Sequence, residues 1–360
     1  MARLGDICEI LDSKRVPITA KDRVSGPYPY YGANGVQDYV ASYIFDDELV
    51  LLAEDGGHFG SSDKPIAYRV SGKCWVNNHA HVLKPKACID VDYLCYSLMF
   101  RDVSDIVNGA TRQKLTQADM REINIPLPTF EEQKKVVAKI GKVFELIALR
   151  KEQLAKLDEL VKSRFIELFD RRGYPEDTLL NLCNIIDYRG KTPEKVEYGL
   201  PFITAKNVRM HQMNLEPREY ISKETYDKVM VRGFPKEGDV VFTTEAPLGN
   251  VCRIPHFDTE FYIGQRIVTM QTEKLEPIYL EYALSSDDFK TKYMEKSSGS
   301  TVMGIRVRLL EQLTIPVPPM ELQEEFAAFV EQTDKSKLAI QQSLDKLETL
   351  RKSLMQEYFG

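Results

Sequence analysis

The sequence predicts an α+β chain: two pseudo-repeated globular α/β halves separated by two long helices that pair as a coiled coil. Three observations carry this. Residues 109–170 align without gaps on 299–360, an offset of 190, and 16 of the 62 paired positions are identical, which is a tandem duplication of a large unit rather than a solenoid of short repeats. Residues 131–170 and their repeat carry apolar side chains at alternating steps of three and four, the a/d spacing of a coiled coil. The remainder is short β-rich runs broken by Gly, Pro and Asn turns, with one helical stretch in each half.

Taken in order, the first half spans 1–128. It opens on "DICEILD" (6–12), echoed by "NLCNIID" (181–187), and each is followed by a basic, proline-containing run. "ELVLLAE" and "CWVNNHAHVLKP" read as strands and residues near 92–107 as a helix, while "PYPYYG" (27–32) and "EDGGHFGSSDK" (54–64) read as long exposed loops. Pro126 and Pro128 forbid helix immediately before the first long helix, 129–170. Its stripe runs Val136, Ile140, Val143, Ile147, Arg150, Leu154, Leu157, Val161, Arg164, Leu168. The second half, 171–318, has strands at "DVVFTTE" and "FYIGQRIVTMQ" and a helix near 277–296. Its stripe, in 319–360, runs Phe326, Val330, Thr333, Lys337, Ile340, Leu344, Leu347, Arg351, Leu354, Tyr358. A single helix with one narrow stripe is not stable alone, and the nearest partner for each is the other. The expected interface is Ile140, Ile147, Leu154, Leu157 and Val161 against Ile340, Leu344, Leu347 and Leu354. The alternative is that each stripe covers its own globular half.

Composition bounds the function. At 360 residues, 43% hydrophobic and 28% charged, the chain holds two or three ordinary domains with cores. Six cysteines without C-x-x-C spacing fit reduced thiols in the cytoplasm, and no apolar run approaches a membrane span. The net charge of −6 divides as −3, +1, −1 and −3 over 1–128, 129–170, 171–318 and 319–360. A chain that grips nucleic acid alone carries a basic face, so binding here would need a local patch or a partner.

Catalytic patterns are absent. "EDGGHFGSS" is neither a P-loop nor a dinucleotide fingerprint, and glycines needing positive φ explain it. His79-x-His81 has no third ligand at a zinc spacing, so no metal site and no cofactor are expected. No nucleophile–base–acid order stands out, which leaves a hydrolase built on that loop without its machinery. What remains is polar and basic side chains in turn-rich stretches: Tyr30, Tyr31, Asn34, His58, Lys64, Arg112 and Lys114 in the first half, and Lys206, Asn207, Arg209, Thr244, Arg253, Gln265, Arg266, Arg306 and Arg308 in the second. Arg, Lys, Asn and Gln are the side chains that reach base edges and phosphates. Singly, each is an ordinary solvated residue.

"GATRQKLTQADMREINIPLPTFEEQKKVVAKI" and its echo "GSTVMGIRVRLLEQLTIPVPPMELQEEFAAFV" resemble the shared regions of type I restriction–modification specificity subunits. "WVNNHAHVLKP", "FTTEAPLGNV" and "FITAKNVRM" are similar to segments of their target-recognition domains, so the resemblance covers essentially the whole chain. It departs at Pro-Pro-Met for Pro-Thr-Phe in the second helix entry, and at Lys337 and Arg351 in the second stripe. The resemblance implies that each half is a target-recognition domain reading half of a split site in double-stranded DNA. It implies that the two helices are antiparallel and set the gap. It also implies a non-catalytic subunit that recruits two methyltransferase subunits, which bind S-adenosylmethionine, and in cleaving complexes two translocase–nuclease subunits. A coiled-coil protein–protein adaptor without DNA binding is the alternative.

Overall fold

The computed structural model describes residues 1–109, 113–170, 173–188, 193–299 and 302–360. The chain divides into two compact units, 1–153 with 340–360, and 154–339.

In the first unit a six-stranded sheet has the order β1 (Cys8–Ile10), β6 (Ala80–Pro85), β4 (Phe45–Ala53), β5 (Ala67–Val76), β2 (Ser25–Gly32), β3 (Gly35–Val40). The central strand β4 carries Leu49, Val50, Leu51, Leu52 and Ala53, all fully buried, which is why its sequence runs apolar without alternation. Helix α1 (Val91–Met99) packs on β4 and β5. It is shorter than 92–107, because residues beyond Phe100 turn away. "PYPYYG", expected as a loop, lies in strand β2. Its register slips between Ser25 and Tyr28 and again between Tyr30 and Tyr31, and β2 meets β5 only at Tyr30 and Tyr31. Such irregular pairing tolerates Pro27 and Pro29, which cannot donate to a regular ladder.

In the second unit a four-stranded sheet has the order β7 (Asn184–Asp187), β13 (Ile267–Gln271), β10 (Val240–Thr243), β11 (Val251–Arg253). A three-stranded sheet joins β9 (Tyr220–Ile221), β8 (Leu200–Ile203) and β12 (Tyr262–Ile263). Helix α3 (Pro277–Ser285) is followed at once by α4 (Asp287–Lys296).

The long helices are α2 (Phe130–Phe165) and α5 (Met320–Phe359), about 54 and 60 Å long at roughly 1.5 Å per residue. They run antiparallel in both units. In the first, Lys139 reaches Tyr358, Arg150 reaches Ser343 and Lys151 pairs with Glu348. In the second, Asp158 pairs with Lys337, and Phe165 meets Phe326 edge-on at 5.5 Å between ring centres. The stripe also covers the globular half. Val161, Phe165, Phe326 and Val330 share one core with Tyr279, Leu280 and Phe242. Of the expected interface residues, Ile140, Ile147, Val161, Leu344 and Leu354 are buried, whereas Leu154, Leu157, Ile340 and Leu347 are half-buried.

The repeated entry segment has one job twice. A short ladder of Ala2–Arg3 with Asn124–Ile125, and of Glu176–Thr178 with Thr314–Pro316, lays each segment against the start of its half. The chain then turns through its prolines into the helix. The first-turn glutamines at offset 190 are both buried, at 0% and 1% exposure. Gln133 Oε1 accepts from the Asp90 amide at 2.8 Å, and its Nε2 donates to the carbonyls of Cys88 and Pro128. Gln323 Oε1 accepts from the Glu276 amide at 2.9 Å, and its Nε2 donates to the Pro318 carbonyl. Asp90 and Glu276 are the N-caps of α1 and α3. Each glutamine therefore ties the start of a long helix to the start of the helix on its sheet.

Candidate nucleic-acid interface

Both halves build the same loop platform at the C-terminal end of a central strand. After β4 the chain leaves at Glu54, whose carbonyl accepts from the Leu115 amide at 2.7 Å, and Asp55 bridges Lys114. After β10 the carbonyl of Thr244 accepts from the Ile305 amide at 2.9 Å, and Glu245 bridges Gly304. Asn108 and Ser298 close the two platforms against Lys114 and Gly304. All these pairs lie 190 residues apart.

In the first platform Asn34 is exposed and its Nδ2 donates to the Gly56 carbonyl, which holds the turn after β2 to the glycine loop. Gly56 and Gly60 have φ of +64° and +79°, so the loop does require left-handed backbone. His58 and Lys64 are exposed on it. Lys114 is exposed too, and its ammonium sits 2.9 Å from Glu54. Tyr31 is half-buried against Tyr68, and burial raises its phenol above the ordinary value. Arg112 lies outside the described residues. Tyr30 belongs to the core instead of the surface. It is 1% exposed, its hydroxyl bonds the backbone of Ile18, and Arg23 covers its ring at 4.2 Å. The strand that replaces the expected loop turns this side chain inward.

In the second platform the Arg266 carbonyl accepts from the Thr244 amide, and the Arg266 guanidinium pairs with Glu245 at 3.1 Å. Thr244 and Gln265 are half-buried. Arg306 and Arg308 are exposed where the chain leaves Ile305, and Lys206 and Arg209 are exposed on the neighbouring turn and hairpin. One expected contact is corrected, and a second is a half-buried side chain with an internal partner. Asn207 is 2% exposed and builds its own turn, its Oδ1 accepting from the Thr204 amide and its Nδ2 donating to the Asn214 carbonyl. Arg253 is committed to Glu281 at 2.6 Å, within a group that also holds His211 and Asp334.

Sequence reasoning missed the polar group behind the first platform. Asp12, Glu54 and His81 bring ligand atoms within 4.8 Å of one another, a donor set that resembles a metal site. The donors are already engaged. Asp12 accepts from the Val82 amide and from Gln117 and meets His81 Nδ1 at 2.6 Å; Glu54 is paired with both Arg15 and Lys114. Burial would raise both carboxyls, but His81, the Val82 amide and Arg15 hold Asp12, and Arg15 and Lys114 hold Glu54, below their ordinary values. Two cations already balance the two carboxylates, so the group is a strut under the loop. The one hint in the sequence is Arg15, in the basic run after the first echo. No helix among the described residues is long and apolar enough to cross a membrane.

Residues 1–159 and 177–349 match the family model described as the type I restriction modification DNA specificity domain. The chain is 28% identical to a putative type I restriction enzyme specificity subunit of Haemophilus influenzae, covering 98% of this chain and 94% of that one. It is 24% identical to the type I restriction enzyme MjaVIII specificity subunit of Methanocaldococcus jannaschii, covering 99% and 90%. Its fold is similar to the crystal structure of a type I restriction–modification system S subunit from M. genitalium, with a TM-score of 0.61 over 99% of this chain and 95% of that one at 14% identity.

Proposed function

Because the chain belongs to the type I restriction–modification DNA specificity family, we propose that it is the subunit that reads a split site in double-stranded DNA, one half with each loop platform. The observation that supports this is the platform built twice at one sequence offset, with Lys64 and Lys114 displayed on the first and Lys206, Arg209, Arg306 and Arg308 on the second. The recognition domains are 1–128 and 171–318; the segments 129–170 and 319–360 set the gap and dock two methyltransferase subunits, with two translocase–nuclease subunits in a cleaving complex. The chain itself works without catalysis or cofactor. S-adenosylmethionine belongs to the methyltransferases, into whose pocket the target base is flipped. Their grip on the phosphates makes up for a net charge of −6 here, and the assembly works in the cytoplasm.

The test is binding-site selection from random duplex DNA by the full chain with its methyltransferase. Replacing 1–128 by another recognition domain changes one half of the selected site. Adding one heptad after Leu154 and another after Leu344 lengthens each helix by about 10 Å, at roughly 1.5 Å per residue, and widens the gap by about three base pairs. Selection of no split sequence would leave a protein–protein adaptor in its place.

A further inference from the structure

At one matched pair of the two stripes a buried valine stands against a buried arginine. Val161 in α2 is an ordinary core residue at 1% exposure; its counterpart in α5, 190 residues on, is Arg351, also buried, at 5%. A buried arginine at a seam position is costly unless it is satisfied. Arg351 is satisfied by the first globular half. Its guanidinium lies over the Phe100 ring at 4.3 Å, pairs with Glu348 at 2.8 Å on its own helix, and reaches Asp63 at 3.6 Å and the Ser62 carbonyl at 3.5 Å. The adjacent Lys352 pairs with Asp63 at 2.8 Å. Ser62, Phe100, Arg351 and Lys352 line a cleft of about 420 Å³ with Tyr96 and Arg101.

Ser62 and Asp63 lie in the loop of the first platform. That loop runs from 54 to 66, thirteen residues between β4 and β5, whereas its counterpart runs from 244 to 250, seven residues between β10 and β11. The longer loop is the one that reaches Arg351. The long loop and the arginine thus occur together in one half of the molecule, and the short loop and the valine occur together in the other. The loop's own bonds are local to its tip: the Ser61 amide donates to the His58 carbonyl at 3.1 Å, and the Asp63 and Lys64 amides donate to Ser61 Oγ; they shape the turn but do not tie that tip to the rest of the half. Arg351 supplies a planar, five-donor anchor that both stacks and bonds, which neither Val nor Lys reproduces.

Resting on the proposed reading of a split DNA site, we propose that Arg351 is a positioning residue for the first half-site: it holds the loop 54–66, and with it His58 and Lys64, in the conformation that reads DNA, so that specificity assigned to residues 1–128 depends on a residue in the last helix. The experiment is site selection from random duplex DNA by the full chain with its methyltransferase, comparing wild type, Arg351→Val, Arg351→Lys and the exposed-end double variant Asp63→Asn with Lys352→Gln. Arg351→Val loses discrimination at one half of the selected site by roughly ten-fold or more, the size of one misplaced base contact, and keeps the other half and the gap. Arg351→Lys retains part of the discrimination. The double variant, which alters only exposed side chains, reproduces the one-sided loss even if Arg351→Val fails to fold. Equal loss in both halves, or an unchanged first half in both the valine and the double variant, overturns the proposal. A wild-type chain that selects no split site sinks the functional reading itself, a result distinct from intact wild-type selection with unresponsive variants.

Discussion

Replacing Gln133 by Ala removes three hydrogen bonds from a fully buried site: one accepted from the Asp90 amide and two donated to the carbonyls of Cys88 and Pro128. The amide loses its partner at the N-cap of α1, at a cost of about 1–3 kcal/mol. The carbonyls are less exacting, since each has a second lone pair and the smaller side chain leaves room for water. The net loss is about 2–4 kcal/mol. Gln323→Ala removes only two bonds, so its loss is smaller by about 1 kcal/mol. The single tryptophan separates the two. Trp75 lies in the first unit, half-buried, its indole N–H donating to the Val16 carbonyl. In a urea titration Trp75 fluorescence follows the surroundings of Trp75 in the first unit. With a slope of roughly 2 kcal/mol per molar, Gln133→Ala moves the Trp75 midpoint down by about 1–2 M, while Gln323→Ala moves the circular dichroism transition and leaves Trp75 nearly in place. Gln133→Glu destabilises further, because a carboxylate then faces two carbonyl oxygens. An unmoved Trp75 midpoint in Gln133→Ala, or one that responds equally to both glutamines, would refute the assignment of these side chains as the ties between helix starts.

Other outcomes follow from burial and charge. Val161→Asp costs several kcal/mol because it drives a charge into a core shared with Tyr279 and Phe326, whereas Leu157→Asp, at a half-buried position, costs markedly less; denaturation midpoints that rank the other way contradict the packing. Phe326→Ala, at a side chain with no exposed surface, costs about 3–5 kcal/mol by the same measurement. Asp12 and Glu54 titrate below their ordinary values of 3.8 and 4.5, so the stability they add to the first unit is complete above about pH 4.5 and falls as pH drops through their folded values; Asp12→Asn with Glu54→Gln flattens the Trp75 melting profile over that window. Burial pushes Cys8, Cys74, Cys95, Cys183 and Cys252 up to about 12, and Cys88 alone of the six is exposed, so a thiol reagent titrates one cysteine quickly in the native chain and six after denaturation.

The duplication is legible because an offset is a property of the string itself: Pro126 with Pro316 and Gln133 with Gln323 declare it unaided. What those glutamines do is not legible, since their partners, Asp90 and Glu276, lie 43 and 47 residues back. The apolar stripe announces a long helix but cannot say which face meets the other helix and which meets the sheet. In the folded chain the two faces are one, with Val161 and Phe326 in the globular core. Tyr30 is misplaced by the sequence pattern because two prolines mark a loop in most chains, and the bulged register that tolerates them is a matter of pairing with Val40, Asp38 and Val76. The Asp12–His81 contact spans 69 residues and leaves no local trace. Among the platform candidates, residue type is a fair guide to exposure, but it carries no sign of commitment to an internal partner, as at Asn207 and Arg253.

The way the two units share the chain bears on its synthesis. Residues 154–339 form one unit from a single uninterrupted stretch, whereas 1–153 needs 340–360 to finish its own. On the ribosome the first-made half therefore waits, its helix α2 lacking a mate near Arg150 and its glycine loop lacking Arg351, until the final helix emerges. The second-made half has every residue it needs about twenty residues sooner. Translation runs from one end, but completion runs in the opposite order, and the half that was begun first is the half that is closed last.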